Sequence, residues 1–165
     1  MAVLSGKAYH WMAQMLNTIE QGAAWPKGTT QARAAFLAKD SMKQGDPLAY
    51  RILLILSAVY RRWAAVRLHH LGEWIDGWAL PEIFAGVQGK GAEQAWYSTA
   101  LLVEEARLRG INYTGGAADV WKCFDQIQRP MVYKLARMAG MSEKVLNAYE
   151  RFQETLEVRN VVGGG

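Results

Sequence analysis

TGGAADVWKCFDQIQR, residues 114–129, is the stretch on which the reading of this chain turns. Two glycines lead into Ala117 and Ala118. Asp119 follows, then Val120, Trp121, Lys122, Cys123, Phe124 and a second carboxylate, Asp125. Strand formers around a carboxylate, entered from a glycine turn and left towards a helix, predict that Asp119 stands near a strand end. A carboxylate there is solvated, caps a turn or holds a cation, and the spacing of the two aspartates alone favours the first two roles over the third.

The surrounding chain sets bounds on these roles. Its 165 residues suffice for one domain with a real core, and 51% hydrophobic with 21% charged residues is a globular balance. The longest apolar run, residues 52–59, is interrupted by Ser57 and followed by Arg61 and Arg62, far short of a bilayer span, so no membrane partner is expected. Residues 1–20 read as a helix rather than a secretory leader. Cys123 is the only cysteine, which excludes an internal disulfide and a cysteine zinc site and points to a reducing, intracellular compartment. The net charge of +4 suits a polyanionic partner.

Upstream, Leu4, Ala8, Trp11, Met12, Met15, Leu16 and Ile19 recur at helical spacing over residues 2–21, and Gly22 stops that helix. A Pro/Gly/Thr connector (24–31) precedes a short strand at 33–39, whose alanines also tolerate helix. A polar turn at 40–47 and a strand at 50–56, aliphatic enough to be buried, complete a hairpin. Ser57 caps the next helix, to about residue 76, with Val59, Trp63, Val66, His70, Trp74 and Ile75 on its apolar face and Arg61, Arg62 and Arg67 largely on the others. After the glycine-rich loop 82–91, a helix over 92–109 carries Ala92, Ala95, Trp96, Thr99, Leu102, Val103 and Ala106 on one face and stops at Gly110. Downstream, Pro130 opens a helix with Met131, Leu135 and Met138 as its stripe, Ser142 caps another over 143–155, and 156–162 is strand-like.

The string DVWKCFD (119–125) followed by a helix resembles the first catalytic block of reverse transcriptases, Asp-x-x-Lys-Ala-Phe-Asp, and is most similar to the non-LTR retrotransposon and group II intron-like enzymes. The blocks expected before it occur in order: FLAK at 36–39, YRILLILS at 50–57, a basic helix to Trp74, FAGVQGKGAEQA at 84–95, and a helix to Arg109. The resemblance covers roughly residues 34–160. It implies an α+β fold, mostly helical, with a fingers β-hairpin and part of a polymerase palm sheet. The chain is then one partial domain: an N-terminal helix and connector (1–32), a fingers-like part (33–110) and the first part of a palm (111–165).

The function implied is RNA-directed DNA polymerisation by two-metal nucleotidyl transfer, with Mg2+ as cofactor and an RNA template, a DNA primer and deoxynucleoside triphosphates as partners. Asp119 would be the catalytic carboxylate and a magnesium ligand, with the Val120 carbonyl beside it. Lys39 and Arg51 would meet the triphosphate of the incoming nucleotide, since two cations on a hairpin can neutralise phosphate oxygens. The alternatives are a solvated lysine and an arginine paired with Asp40 or Asp46. Phe124 would exclude a ribose 2′-hydroxyl, or it packs in the core. Gln88 and Lys90 would touch the template, and Asp125 would cap the following turn.

The sequence departs from the family at Ala38 (for Pro), Ile52 (for Pro), Glu82 (for Gln) and Val87 (for Phe). The later Gln-Gly block and the x-Asp-Asp block have no counterpart, and no Asp-Asp dipeptide occurs. With the resemblance this implies an N-terminal fragment, and the expectation is a chain without polymerase activity of its own and with an exposed apolar patch on the Asp119 side. The competing expectation is a non-enzymatic basic helical module that binds nucleic acid or protein through helix 57–76 and Trp63, Trp74, Trp78 and Trp96. His69 and His70 are adjacent on a helix and do not converge on one site.

Overall fold

A computed structural model describes residues 4–39 and 49–160. The polar turn expected at 40–47, with Asp40 and Asp46, lies outside the described residues, as do Val161 and Val162 of the C-terminal strand-like stretch. The fold is α+β, with six α-helices and one three-stranded sheet among the described residues. The chain forms two compact units, one from residues 1–68 and 141–165, the other from residues 69–140.

The first unit begins with α1 (Gly6–Glu20). Ser5 accepts a hydrogen bond from the Ala8 amide at 3.3 Å, which satisfies one of the free amides of the first turn. At the other end Gly22 takes φ 117°, a conformation that favours glycine, and the Gly22 and Ala23 amides bond back to Ile19 and Thr18. Ala8, Met12, Met15, Leu16 and Ile19 are the covered stripe. Leu4 and Trp11, expected on the same stripe, are exposed.

Strand β1 (Gln31–Ala38) pairs antiparallel with β2 (Tyr50–Ile55) and parallel with β3 (Glu157–Asn160), giving the order β2-β1-β3. The hairpin forms as its sequence predicts. The burial expected for β2 does not follow: Ile52, Leu53, Leu54 and Ile55 are all exposed, so both faces of the sheet are open to solvent at this strand. Only the first half of β1 reaches the core, through Ala32 and Ala34, while Phe36 and Leu37 stand clear of it.

Helix α2 (Ala58–His70) starts at Ser57, whose hydroxyl accepts from the Val59 amide at 3.3 Å. It buries Tyr60 and Trp63, but Val66 is exposed. The helical run expected to residue 76 breaks at Leu71, and α3 (Gly72–Trp78) continues beyond the break. Helix α6 (Glu143–Thr155) follows Ser142 as expected and buries Val145, Leu146, Ala148 and Phe152.

These elements meet in an aromatic cluster. Tyr60 stacks on Phe152 with centroids 3.4 Å apart, and Trp25 lies edge-on to Tyr60, Trp63 and Phe152 at 5.6, 5.4 and 5.3 Å. The one indole N–H that such a cluster must satisfy at Trp25 goes to the Ala148 carbonyl at 2.9 Å. Glu20 anchors the end of α1. It accepts from the Trp63 indole at 2.7 Å and takes a two-point contact from Arg67 at 2.5 and 2.7 Å. Arg151 of α6 donates to the Ile19 carbonyl, tying α6 to the last turn of α1. Burial pushes the Tyr60 hydroxyl up to about 12, with Tyr149 adding to the rise and the hydrogen bond from Gln153 opposing it.

The second unit holds α3, α4 (Ala92–Leu108) and α5 (Arg129–Met138). Trp74 donates to the Ala139 carbonyl at 2.7 Å and lies edge-on to Trp78. Gly110, at φ 66°, closes α4 with the paired bonds Gly110 to Arg107 and Ile111 to Ala106. Its buried hydrophobic side chains are Val87, Ala106 and Tyr133. The apolar faces expected of α4 and α5 are therefore largely uncovered: Trp96, Leu102, Val103, Met131, Leu135 and Met138 are exposed.

The strand expected at Asp119 does not form. Residues 111–120 are irregular and exposed throughout. A strand exists only when a second strand completes its ladder, and the three strands of the sheet lie elsewhere in the chain.

Candidate functional site

The hairpin positions two of the expected residues. Leu37 is opposite Arg51, and the Lys39 amide donates to the Ala49 carbonyl at 2.7 Å, two residues further along and just past the end of β1. Because side chains alternate along a strand, Lys39 and Arg51 share one face as diagonal neighbours. Both are exposed. The same alternation places Arg33 on this face, and parallel pairing with β3 sets Arg159 directly beside it. Arg33 and Arg159 were not singled out by the sequence. Their alternation with alanine and valine is visible there, but the register that joins strands 126 residues apart is not.

Asp119, Val120, Phe124, Gln88 and Lys90 belong to the second unit. Asp119 is exposed, and so is Val120. Beyond them the chain makes a tight turn of its own. Lys122 adopts φ 49°, the left-handed region that costs a non-glycine residue about 1 kcal/mol. Its ammonium stands 4.9 Å over the Trp121 ring, an attraction of ~0.5–1 kcal/mol at an exposed site, comparable to that cost. The Gln126 amide donates to the Trp121 carbonyl at 2.5 Å, and Asp125 donates its backbone N–H to the Lys122 carbonyl at 3.0 Å.

Asp125 lies inside the 3-10 turn Cys123–Gln126. It is not the cap of α5, whose N-cap is Gln128, without a side-chain hydrogen bond. Phe124 is 88% exposed, so the core-packing alternative for it is wrong. Val120, Trp121, Phe124 and Ile127 do expose apolar surface close to Asp119 in the sequence, on turns and irregular chain rather than on a strand.

In the glycine-rich loop, Gly86 and Gly89 turn the chain at φ 75° and 76° on either side of buried Val87. Lys90 is engaged within this loop, donating to the Pro81 carbonyl at 2.9 Å and lying 5.7 Å from the Phe84 ring centroid. Gln88 is exposed. The basic helix is less basic than its sequence: Arg67 is committed to Glu20 and Trp63 to the core, leaving Arg61 and Arg62 exposed.

A magnesium pair requires several convergent oxygen ligands. Among the described residues no group of three or more His, Cys, Asp and Glu is gathered in one place. Asp119 therefore supplies a single carboxylate, and these residues do not by themselves fit a two-metal centre. No helix among the described residues is long and apolar enough to cross a membrane. Compared with known families and curated proteins, the chain matches no family model and no curated sequence.

Proposed function

We propose that the chain is the fingers and first palm portion of an RNA-directed DNA polymerase domain of a retroelement, inactive by itself. The observation that carries this reading is the ordered set of sequence blocks ending in DVWKCFD (119–125). The shared hairpin face of Lys39 and Arg51 supports it, since a triphosphate needs cations that converge from one side. In this reading Asp119 and the Val120 carbonyl hold Mg2+ only in the parent enzyme, with further carboxylates from a paired-aspartate block absent from this sequence. Residues 111–120 pair into a strand once that part of the palm is present. Phe124, already exposed, meets the sugar of a deoxynucleotide, and Gln88 lies against the RNA template, with Lys90 bracing the loop that holds it.

The test is the reading frame past Gly165. In this proposal an in-frame product carrying an x-Asp-Asp block extends a DNA primer on an RNA template with Mg2+, Asp119→Asn abolishes extension, and the 165-residue chain shows none. A frame that closes at once, or extension indifferent to Asp119→Asn, overturns it.

A second reading, a non-enzymatic nucleic-acid-binding module, is favoured by one observation: exposed cations gather on the sheet whereas carboxylates do not gather around Asp119. The closed reading frame is the result that favours it.

A further inference from the structure

The sheet sorts its charges completely. The even-numbered positions of the three strands, among them Ala32, Ala34, Phe36, Ile52 and Leu54, carry no charge, and this is the face that reaches the core at Ala32 and Ala34. The odd-numbered face carries Arg33, Arg51 and Arg159 against one carboxylate, Glu157, and Lys39 follows one residue past the end of β1. Arg33 and Arg159 are direct neighbours in the parallel register, an arrangement that costs stability unless an anion lies between them. Among the described residues neither they nor Arg51 make an ion pair with a carboxylate.

A recess of about 290 Å3 opens beside the two arginines, lined by Gly28, Gln31 and Ala32 with Arg33 and Arg159. Two guanidinium groups at one recess match a phosphate, which accepts parallel hydrogen bonds from each. A concave pocket favours an extended phosphodiester strand over the flat headgroup plane of a membrane. Exposed Leu53 and Ile55, between the cations, give apolar contact to unstacked bases.

We propose that the open face of this sheet binds the backbone of single-stranded nucleic acid, with Arg33 and Arg159 holding one phosphate and Arg51 and Lys39 continuing the track. This site rests on the nucleic-acid-binding reading: it shares Lys39 and Arg51 with the polymerase reading, but its centre, Arg33 and Arg159, involves neither Asp119 nor a metal.

The experiment is fluorescence anisotropy of the full chain with a labelled single-stranded DNA 12-mer across a salt series. The expected result is binding that weakens roughly tenfold for Arg33→Gln and for Arg159→Gln, with the salt slope falling by about 0.7 for each phosphate no longer neutralised. Arg33→Lys keeps the charge and loses the fork, so it falls between parent and Arg33→Gln. Arg61→Gln and Arg62→Gln, on α2, change binding less than about twofold. Urea midpoints equal to the parent's establish that these exposed substitutions leave the fold intact. Three results overturn the proposal: no binding at low salt, binding unchanged by the Arg33 and Arg159 substitutions, or capture by anionic phosphatidylserine vesicles without capture of the oligonucleotide. Loss of binding in these variants alongside intact Asp119-dependent polymerisation by the longer product separates this site from the catalytic one.

Discussion

Phe152 and Phe124 are the same residue type in opposite circumstances, and alanine at each reads out the difference. Phe152 is fully buried, stacked on Tyr60 and edge-on to Trp25. A buried aromatic side chain removes at least ~150 Å2 from water, worth about 4 kcal/mol at 25 cal/mol per Å2, and each ring pair adds ~0.5–1.5 kcal/mol. The alanine Cβ keeps a small part of this and neighbours relax into the gap, so Phe152→Ala costs about 3–5 kcal/mol. Phe124, at 88% exposed, has no such surroundings, and Phe124→Ala changes stability by less than about 0.5 kcal/mol. Urea unfolding followed by tryptophan fluorescence measures both, since Trp25 and Trp63 report the Phe152 cluster directly. If Phe152→Ala abolishes folding, Phe152→Leu keeps the comparison at a smaller cost. A destabilisation below about 1.5 kcal/mol for Phe152→Ala, or above that for Phe124→Ala, would refute this division into core and surface.

The other expectations concern the same framework. Tyr60 stays protonated in the folded chain up to about pH 12 but ionises near its ordinary value of 10.0 when unfolded. Its contribution is thus complete below pH 10 and lost as pH rises from 10 to about 12; Tyr60→Phe should flatten the urea midpoint over that window, and an unchanged alkaline profile would count against a buried hydroxyl. Glu20→Ala strands the Trp63 indole and Arg67 together and should cost about 2–3 kcal/mol by urea unfolding, with a double-mutant cycle against Arg67→Ala showing positive coupling; strict additivity would deny the two-point contact. Gly110→Ala meets open space but a φ of 66°, so about 1 kcal/mol of backbone strain alone is expected, seen as loss of stability without loss of helix signal in the native state.

Local chemistry made much of the fold legible. Ser57 and Ser142 mark helix starts and Gly22 and Gly110 mark helix ends because helix boundaries are decided by residues close together along the chain, although Ser142 makes no side-chain cap bond and the start at Ser5 lies inside the run expected to be helical from residue 2. The hairpin was legible for the same reason. Faces were less so. Trp96, Met131 and Leu135 have helical spacing yet stand exposed, while Trp25, in a connector, and Tyr60, one position off the expected stripe, join Ile19, Trp63 and Phe152 in the core. Periodicity says which residues share a face, not whether a neighbour arrives to cover it. The strand at Asp119 failed through the same gap, since β-forming residues become a strand only beside a partner. For the candidate site, Lys39 and Arg51 could be paired from strand alternation, whereas the Arg33–Arg159 pair depended on a parallel register between distant segments.

The indole hydrogen bond of Trp25 reaches across 123 positions to Ala148. The unit that holds both is assembled from the two flanks of the chain, and residues 69–140 intervene in the sequence. At a translation rate of roughly 5–20 residues per second, Trp25 is synthesised roughly 6–25 s before its acceptor. Through that interval α1 has no α6 to close on, and Ile19, Trp25, Tyr60 and Trp63, all buried in the finished unit, lack Phe152 and its neighbours to cover them. Yield on expression should therefore respond to synthesis rate and temperature more than to the final stability of the folded unit.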